Sequence, residues 1–168
     1  MSNLDYILDY DKEKHIELLK LKERLKDGNQ LFSFEKQVEL DKALRNYRIA
    51  LEYEIIWRKR YFLYYSVEDF LSGEISARNF CGRIFGIRNR LKKTLDKFEL
   101  FLKLEMITNF KLDERSVKLE SFLTQSFILC DSFLDQCDPA SNKIFQDFIA
   151  IGFLNLKDVR WKSIRLGL

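Results

Sequence analysis

Apolar residues recur every three or four positions along most of this chain, a spacing typical of amphipathic helices rather than strands. The first such segment spans about Asp11 to Asp27 and ends at Gly28-Asn29, a common helix stop. The second begins at Ser33, a residue type that caps helices, and its apolar positions continue to about Tyr64. No segment alternates convincingly at a period of two, so the pattern predicts helices and no sheet.

A helix stop followed by a new helix start lies near the middle of the chain. Ser66-Val67-Glu68-Asp69 is close to a capping box and predicts a short helix. That helix ends at Leu71, and Gly73 supplies the left-handed residue that often follows a helix end. Ser76 then caps a long helix that continues to about Asn109. The apolar residues of this long helix share one side and predict the core-facing positions Phe80, Ile84, Ile87, Leu91, Leu95, Phe98 and Leu102.

Two more helices are predicted after the long one. The fifth opens at Asp113 or Ser116 and ends at Asp138-Pro139, because proline cannot continue a helix. The sixth follows directly and breaks near Gly152. Its predicted inward positions are Phe145, Phe148 and Ile149.

These elements together predict an all-α fold. We expect a single-domain antiparallel helical bundle of about five to six helices, with a helix-turn-helix corner at Gly73. The length of 168 residues suits one domain. Within it, residues 1–61 are interpreted as an N-terminal helical extension, residues 62–138 as the bundle core and residues 139–168 as C-terminal helices.

Composition excludes two classes of protein. Hydrophobic residues make up 46% of the chain and charged residues 33%, which fits neither a disordered nor a membrane protein. Both of the longest uncharged runs, Ser121 to Cys130 and Phe148 to Leu156, are shorter than the roughly 20 residues of a membrane span. The acidic start of the chain lacks the features of a signal peptide. We therefore expect no membrane span and a cytoplasmic location.

The balance of residue types also indicates an origin. The chain has 15 phenylalanines against 6 glycines and 1 proline, which is typical of codon usage in an AT-rich genome. Such genomes occur in some bacteria, plasmids and organelles. Because an organelle-encoded protein needs no targeting segment, the alternative location is an organelle interior such as the plastid stroma.

The sequence contains no recognisable catalytic site. His15 is the only histidine, and its charged neighbours Lys14 and Glu17 predict a solvated position. A single histidine rules out a His-x-x-x-His motif, and no histidine-based triad is recognisable. The glycines are too few and scattered for a phosphate-binding loop. We predict that the protein is not an enzyme and has no catalytic residue and no cofactor.

The three cysteines do not predict a metal site. Cys81, Cys130 and Cys137 show no Cys-x-x-Cys spacing, and a structural zinc ion normally needs four Cys or His ligands. Cys130 and Cys137 lie seven residues apart and therefore share one helical face. We interpret these two as small core residues of a protein in a reducing compartment.

A basic segment and a nearby aromatic run form the strongest candidate for a binding surface. From Ile75 to Leu95 the chain has 6 cations and no acid. The aromatic run from Trp57 to Tyr65 is broader than one buried stripe can hold. Cations beside aromatic rings suit a protein partner or single-stranded nucleic acid, and a solvated helix face is the alternative. The predicted partner-binding residues are Trp57, Tyr61, Arg83, Arg88, Arg90 and Lys93.

The segment Phe70-Leu71-Ser72-Gly73-Glu74-Ile75-Ser76-Ala77-Arg78-Asn79-Phe80, extended to Phe85, resembles the bacterial self-protective colicin-like immunity domain. The stretch Leu119 to Asp138 is similar to the next helix of that family, so the resemblance covers about residues 62–138. It implies a small four-helix bundle that binds a toxin nuclease and blocks its active site. It does not account for the residues before Phe62.

Two functions follow as hypotheses. The first is a non-catalytic helical-bundle protein of the colicin-immunity type, which binds a protein partner such as a toxin nuclease. The second is a nucleic-acid-associated helical protein from an AT-rich bacterial, plasmid or plastid genome. Oligomeric state is left open by the sequence.

Overall fold

The structure, a computed structural model, describes residues 9–26, 33–101, 108–136, 139–156 and 159. Six helices and one pair of two-residue strands form in this part of the chain, so the predicted all-α class is confirmed. The elements are β1 (Asp9–Tyr10), α1 (Lys12–Lys26), α2 (Phe34–Arg58), α3 (Arg60–Leu71), α4 (Ala77–Phe101), β2 (Phe110–Lys111), α5 (Glu114–Gln136) and α6 (Pro139–Leu154). The predicted stop at Gly28-Asn29, Cys137 and residues 160–168 lie outside the described residues.

The boundary between α2 and α3 differs from the prediction. Lys59 interrupts the helices at φ −101° and ψ 13°, so the second helix does not continue to Tyr64. Ser66 does not begin a helix either. It lies inside α3, where its hydroxyl donates a hydrogen bond of 2.8 Å to the carbonyl oxygen of Phe62, one turn earlier. The serine-acid spacing was therefore a misleading capping signal.

The segment around Gly73 has the local geometry that its residues predict. Gly73 adopts φ 82°, a value that a residue with a Cβ atom reaches only with strain. Ser76 caps α4, because its Oγ accepts a hydrogen bond of 3.3 Å from the backbone N–H of Asn79. Phe80 N–H then donates to the carbonyl oxygen of Ser76 at 2.9 Å, which closes the first helical turn.

The chain divides into two compact units. The first consists of Met1–Glu54 and Lys92–Asp113, and the second of Ile55–Leu91 and Glu114–Leu168. Two of the three boundaries fall inside helices, so α2 and α4 each contribute residues to both units, and the third lies just before α5.

The first unit encloses an aromatic cluster around the short strand pair. Tyr10 pairs with Phe110 in the antiparallel register of β1 and β2, and their rings stack 4.5 Å apart. His15 packs against Tyr47 with ring centroids 5.2 Å apart, and its Nδ1 lies 2.9 Å from the Tyr10 hydroxyl oxygen. Only 1% of the His15 side chain is exposed, so its predicted solvated position is wrong. The strand pair also corrects the prediction that no sheet would form.

Phenylalanine rings build much of the core of the second unit. The Phe70 and Phe80 rings stack with their centroids 4.6 Å apart. The Phe145 ring centroid lies 5.5 Å from that of Phe70 and 4.7 Å from that of Phe133. The same unit also buries Leu63, Val67, Ile84, Leu119, Leu123 and Ile149. Along α4, the predicted inward positions Phe80, Ile84, Leu91 and Leu95 are buried, Ile87 is half-buried, and the side chains of Phe98 and Leu102 lie outside the described residues.

One prediction for α6 is wrong. Phe145 and Ile149 are buried as expected, but Phe148 points away from the core. The helix ends at Leu154, two residues beyond Gly152 and so near the predicted position. A Cβ atom built on Gly152 would lie 2.8 Å from the Phe122 ring, so glycine is needed there for close packing of α6 on α5.

None of the helices in the described ranges combines the length and the apolar character needed to cross a bilayer.

Candidate protein-binding surface

Three aromatic side chains of α3 lie on its solvent-facing side. Tyr61 is 44% exposed, Phe62 42% and Tyr65 58%. The opposite side of the same helix buries Leu63, Val67 and Phe70, so the helix has more large apolar residues than its core contact can cover. We call Tyr61, Phe62 and Tyr65 the aromatic face. Its exposure agrees with the breadth of the aromatic run in the sequence.

A cation lies against the aromatic face. The Tyr61 and Phe62 rings are 4.2 Å apart, and the guanidinium carbon of Arg90 lies 5.6 Å from the Phe62 ring centroid. Arg90 Nε also donates a hydrogen bond of 3.2 Å to the carbonyl oxygen of Gly86. These contacts hold an exposed arginine beside exposed rings, in a cation–π arrangement. The structure thus places two predicted residues, Tyr61 and Arg90, each against the Phe62 ring.

Trp57 is not an open stacking surface. Its ring is half-buried, with the guanidinium carbons of Arg60 and Arg115 at 4.3 Å and 4.9 Å from it. Arg60 Nη1 donates a further hydrogen bond of 2.7 Å to the Trp57 carbonyl oxygen. The cations that cover this indole come from the protein itself, so a nucleic-acid base would have to displace them.

Arg83 and Arg88 form ion pairs within the second unit. Arg83 pairs with Asp69 near the surface. Arg88 Nη1 lies 3.3 Å from Glu120 Oε1, and its Nη2 donates a hydrogen bond of 2.6 Å to Thr124 Oγ1. The Arg88 side chain is 25% exposed and that of Glu120 18%. Arg88 is therefore only partly exposed, because its guanidinium group pairs with an acid on α5.

Lys93 is exposed, but it belongs to the first unit. The other five predicted partner-binding residues belong to the second. Of these five, Tyr61 belongs to the aromatic face and Arg90 contacts it, while Trp57, Arg83 and Arg88 contact neighbouring side chains of their own unit.

The sequence analysis missed a second exposed apolar surface. Ile144, Phe148, Ile151 and Leu154 are each 57–59% exposed and follow one side of α6 at helical spacing. We call these four residues the α6 stripe. The sequence does contain evidence for this surface, since apolar residues lie on two sides of α6 and only one side can face the core. The prediction that Phe148 faces the core concealed the second apolar side.

No group of three or more His, Cys, Asp or Glu residues in the described ranges is placed to hold a metal ion. The buried His15 is the one histidine of the chain. Burial, with a smaller contribution from the charge of Arg48, lowers the pKa of His15 to about 4. The imidazole is therefore neutral and enclosed at physiological pH, which suits packing better than proton transfer to a substrate.

Comparison of the chain with known protein families, curated proteins and solved structures finds no match.

Proposed function

We propose that this protein is a non-catalytic helical binding protein, and that the aromatic face of α3 contacts a protein partner. The observation that carries the proposal is the exposure of Tyr61, Phe62 and Tyr65 on a helix whose other side already supplies core residues. Exposed rings gain free energy when a partner removes them from water. Tyrosine, phenylalanine and arginine are also enriched at protein interfaces, and Arg90 lies against Phe62.

The charges near the aromatic face favour a particular partner chemistry. Arg58 and Lys59, which precede the aromatic face, are exposed cations, and Arg90 adds a third charge at Phe62. A partner surface with apolar side chains flanked by carboxylates would complement this arrangement. We expect the rings to supply most of the affinity and the cations to orient the complex.

The proposed partner class is a toxin nuclease. Support comes from the resemblance of residues 70–85 to the colicin-like immunity domain. Inhibitors of that kind present acidic surfaces that imitate RNA, whereas α4 carries Arg78, Arg83, Arg88 and Arg90. The proposed contact is therefore the aromatic face and not an acidic imitation of the substrate.

The test uses the purified product of a neighbouring nuclease gene in the native host. Binding is measured by titration calorimetry, and inhibition by cleavage of an RNA substrate. A variant with Tyr61→Ser, Phe62→Ser and Tyr65→Ser should bind at least about 100-fold more weakly, since three contact rings are lost. Ile128→Ser is the matched control, because Ile128 is an equally exposed apolar residue on α5. Its affinity should stay within about threefold of the parent.

A second variant distinguishes the two apolar surfaces. Ile144→Ser, Phe148→Ser and Ile151→Ser remove most of the α6 stripe without touching α3. Loss of binding in this variant together with full binding by the aromatic-face variant would reject the aromatic face as the contact surface. Failure of every neighbouring nuclease to bind the parent protein would reject the partner class. Circular dichroism of each variant establishes that the helices are retained.

Association with nucleic acid is the alternative function. The segment from Ile75 to Leu95 without an acid favours it, and all of its cations except the half-buried Arg88 are exposed. The ion pairs of Arg83 and Arg88 and the covered ring of Trp57 weigh against it. Phosphate contacts would make the affinity for single-stranded RNA fall steeply between about 50 and 200 mM salt. Fluorescence anisotropy measures this, and absence of binding at the low-salt end eliminates the alternative.

A further inference from the structure

Helices α4 and α5 of the second unit pack side by side in a register that two contacts define. Phe85 of α4 lies 5.1 Å from Phe127 of α5, measured between ring centroids. One turn further along α4, Arg88 contacts Glu120 and Thr124. Residue numbers rise on α4 as they fall on α5, so this pair of helices runs antiparallel.

The same register brings two cysteines together. One turn before Phe85 on α4 is Cys81, and about one turn after Phe127 on α5 is Cys130. Both side chains are 0% exposed, and the two thiols are hydrogen-bonded to each other. A disulfide joins cysteines whose side chains meet, and a hydrogen bond between two thiols on neighbouring helices brings the two side chains together.

The thiol contact also makes the two cysteines chemically different. The hydrogen bond from Cys130 lowers the pKa of the Cys81 thiol, although burial opposes this. The hydrogen bond to Cys81, together with burial, raises the pKa of the Cys130 thiol. Because the thiolate is the form that attacks a disulfide, we assign the first step of the exchange to Cys81.

We propose that Cys81 and Cys130 are a reversible redox-modification site, at which a small-molecule disulfide such as oxidised glutathione converts the thiol pair into an intramolecular disulfide linking α4 to α5. The Cys81 thiolate attacks one sulfur of glutathione disulfide and releases one glutathione thiolate. Cys130 loses its proton and attacks the Cys81 sulfur of the mixed disulfide, which releases the second glutathione. Two protein thiols are oxidised and one disulfide is reduced to two thiols.

Burial determines the conditions of this reaction. Because neither sulfur is exposed, glutathione reaches Cys81 only when the unit opens locally. We therefore expect slow oxidation in the native protein and slow reduction of the product. Once closed, the disulfide ties together residues 81 and 130 across the connection between α4 and α5 and restricts the unfolded chain.

The test maps disulfides in the full-length protein. Native protein is incubated with glutathione disulfide, free thiols are alkylated, and tryptic peptides are sequenced by fragmentation in the mass spectrometer, because one tryptic peptide contains both Cys130 and Cys137. The expected result is a linked peptide pair containing Cys81 and Cys130, with Cys137 alkylated, and loss of the link after treatment with dithiothreitol. Cys137 provides the internal control, since it is seven residues from Cys130 in sequence.

Two variants test which cysteines form the disulfide. Cys137→Ser should give the same linked pair as the parent, while Cys81→Ala should give alkylated Cys130 and no Cys81 link. A link that involves Cys137 in the native parent would overturn the proposal. So would full alkylation of Cys81 and Cys130 after glutathione treatment of the native protein, if the same treatment in urea forms disulfides.

Discussion

At the scale of single residues, His15 shows how burial changes the chemistry of a side chain. It lies between Tyr10 and Tyr47 in the first unit, with Nδ1 2.9 Å from the Tyr10 hydroxyl oxygen. Charging the imidazole there would place a cation in an aromatic enclosure near Arg48, which explains its lowered pKa. The stability of the protein should therefore depend on pH through this residue.

We expect the free energy of unfolding to fall as the pH is lowered from 6.5 towards 4. The His15 pKa of about 4 in the folded protein lies below its ordinary value of 6.5, so the unfolded chain takes up the proton first. The contribution of neutral His15 is present above pH 6.5 and is lost as the pH approaches 4. Urea denaturation at a series of pH values should show a loss of at least about 1 kcal/mol from this residue.

His15→Gln isolates this effect from the titration of carboxylates. Glutamine stays neutral and keeps polar atoms near Tyr10, so its stability should depend less on pH between 6.5 and 4 than that of the parent. Identical pH profiles for the two proteins would show that His15 does not titrate with a lowered pKa.

Arg88 is expected to contribute to stability through its contacts with Glu120 and Thr124. Arg88→Met leaves a half-buried carboxylate without its cation and should cost about 1–3 kcal/mol in urea denaturation. Arg83→Met is the matched control on the same helix, because the Arg83–Asp69 pair is more exposed. Its cost should be about 0–1 kcal/mol.

A double-mutant cycle checks the cause of the Arg88 effect. Arg88→Met combined with Glu120→Met removes both charges, so part of the loss should be recovered, with a coupling energy of about 1–2 kcal/mol. Strict additivity of the two substitutions would mean that the ion pair contributes nothing to folding.

At the scale of helices, two glycines inside α4 and α6 should respond in opposite directions to alanine. No heavy atom lies within 4 Å of a Cβ built on Gly82, so Gly82→Ala should stabilise the protein by about 0.5–1 kcal/mol through helix propensity. A Cβ on Gly152 would lie 2.8 Å from Phe122, and Gly152→Ala should destabilise it by about 1–3 kcal/mol. Thermal denaturation of both variants measures the difference.

Combining Gly152→Ala with Phe122→Leu supplies the control for this pair. Leucine removes the ring that the new methyl group would meet, so the alanine should cost less in that background. An unchanged cost would exclude the close contact between α5 and α6 as the reason for glycine at this position.

At the scale of the whole molecule, the two compact units share α2 and α4 along the chain. Unfolding one unit alone would interrupt both helices, so we expect a single unfolding transition, in agreement with the predicted single domain. Leu51→Ala in the first unit should cost about 2–5 kcal/mol, and Phe80→Ala in the second about 3–5 kcal/mol, because both side chains are fully buried.

Each substitution should shift that one transition as a whole. Circular dichroism reports the helices, and fluorescence of Trp57, measured in proteins that also carry Trp161→Phe, reports the second unit. Coincident curves from the two signals in both variants would support one cooperative domain. A Leu51→Ala protein in which the Trp57 signal keeps the parental midpoint would show that the units unfold independently.

Patterns within short stretches of the sequence predicted the helices well. They predicted the exposure and contacts of the partner-binding residues only in part. The buried side of α4 can be predicted from the sequence because Phe80, Ile84, Leu91 and Leu95 repeat at the helical period. The exposure of the aromatic face also follows from the sequence, since one helix side cannot bury so many rings. The pairing of Arg88 does not, because Glu120 lies 32 residues away and nothing local to Arg88 reveals it.

By itself, the amino-acid sequence determined the helical class, the buried side of α4 and the positive φ of Gly73. These depend on periodicity and on capping groups within a few residues of one another. The tertiary structure alone decided that His15 is enclosed, that Phe148 is exposed and that Cys81 meets Cys130. Those outcomes depend on which helices face each other, and contacts between residues far apart in the chain settle that choice.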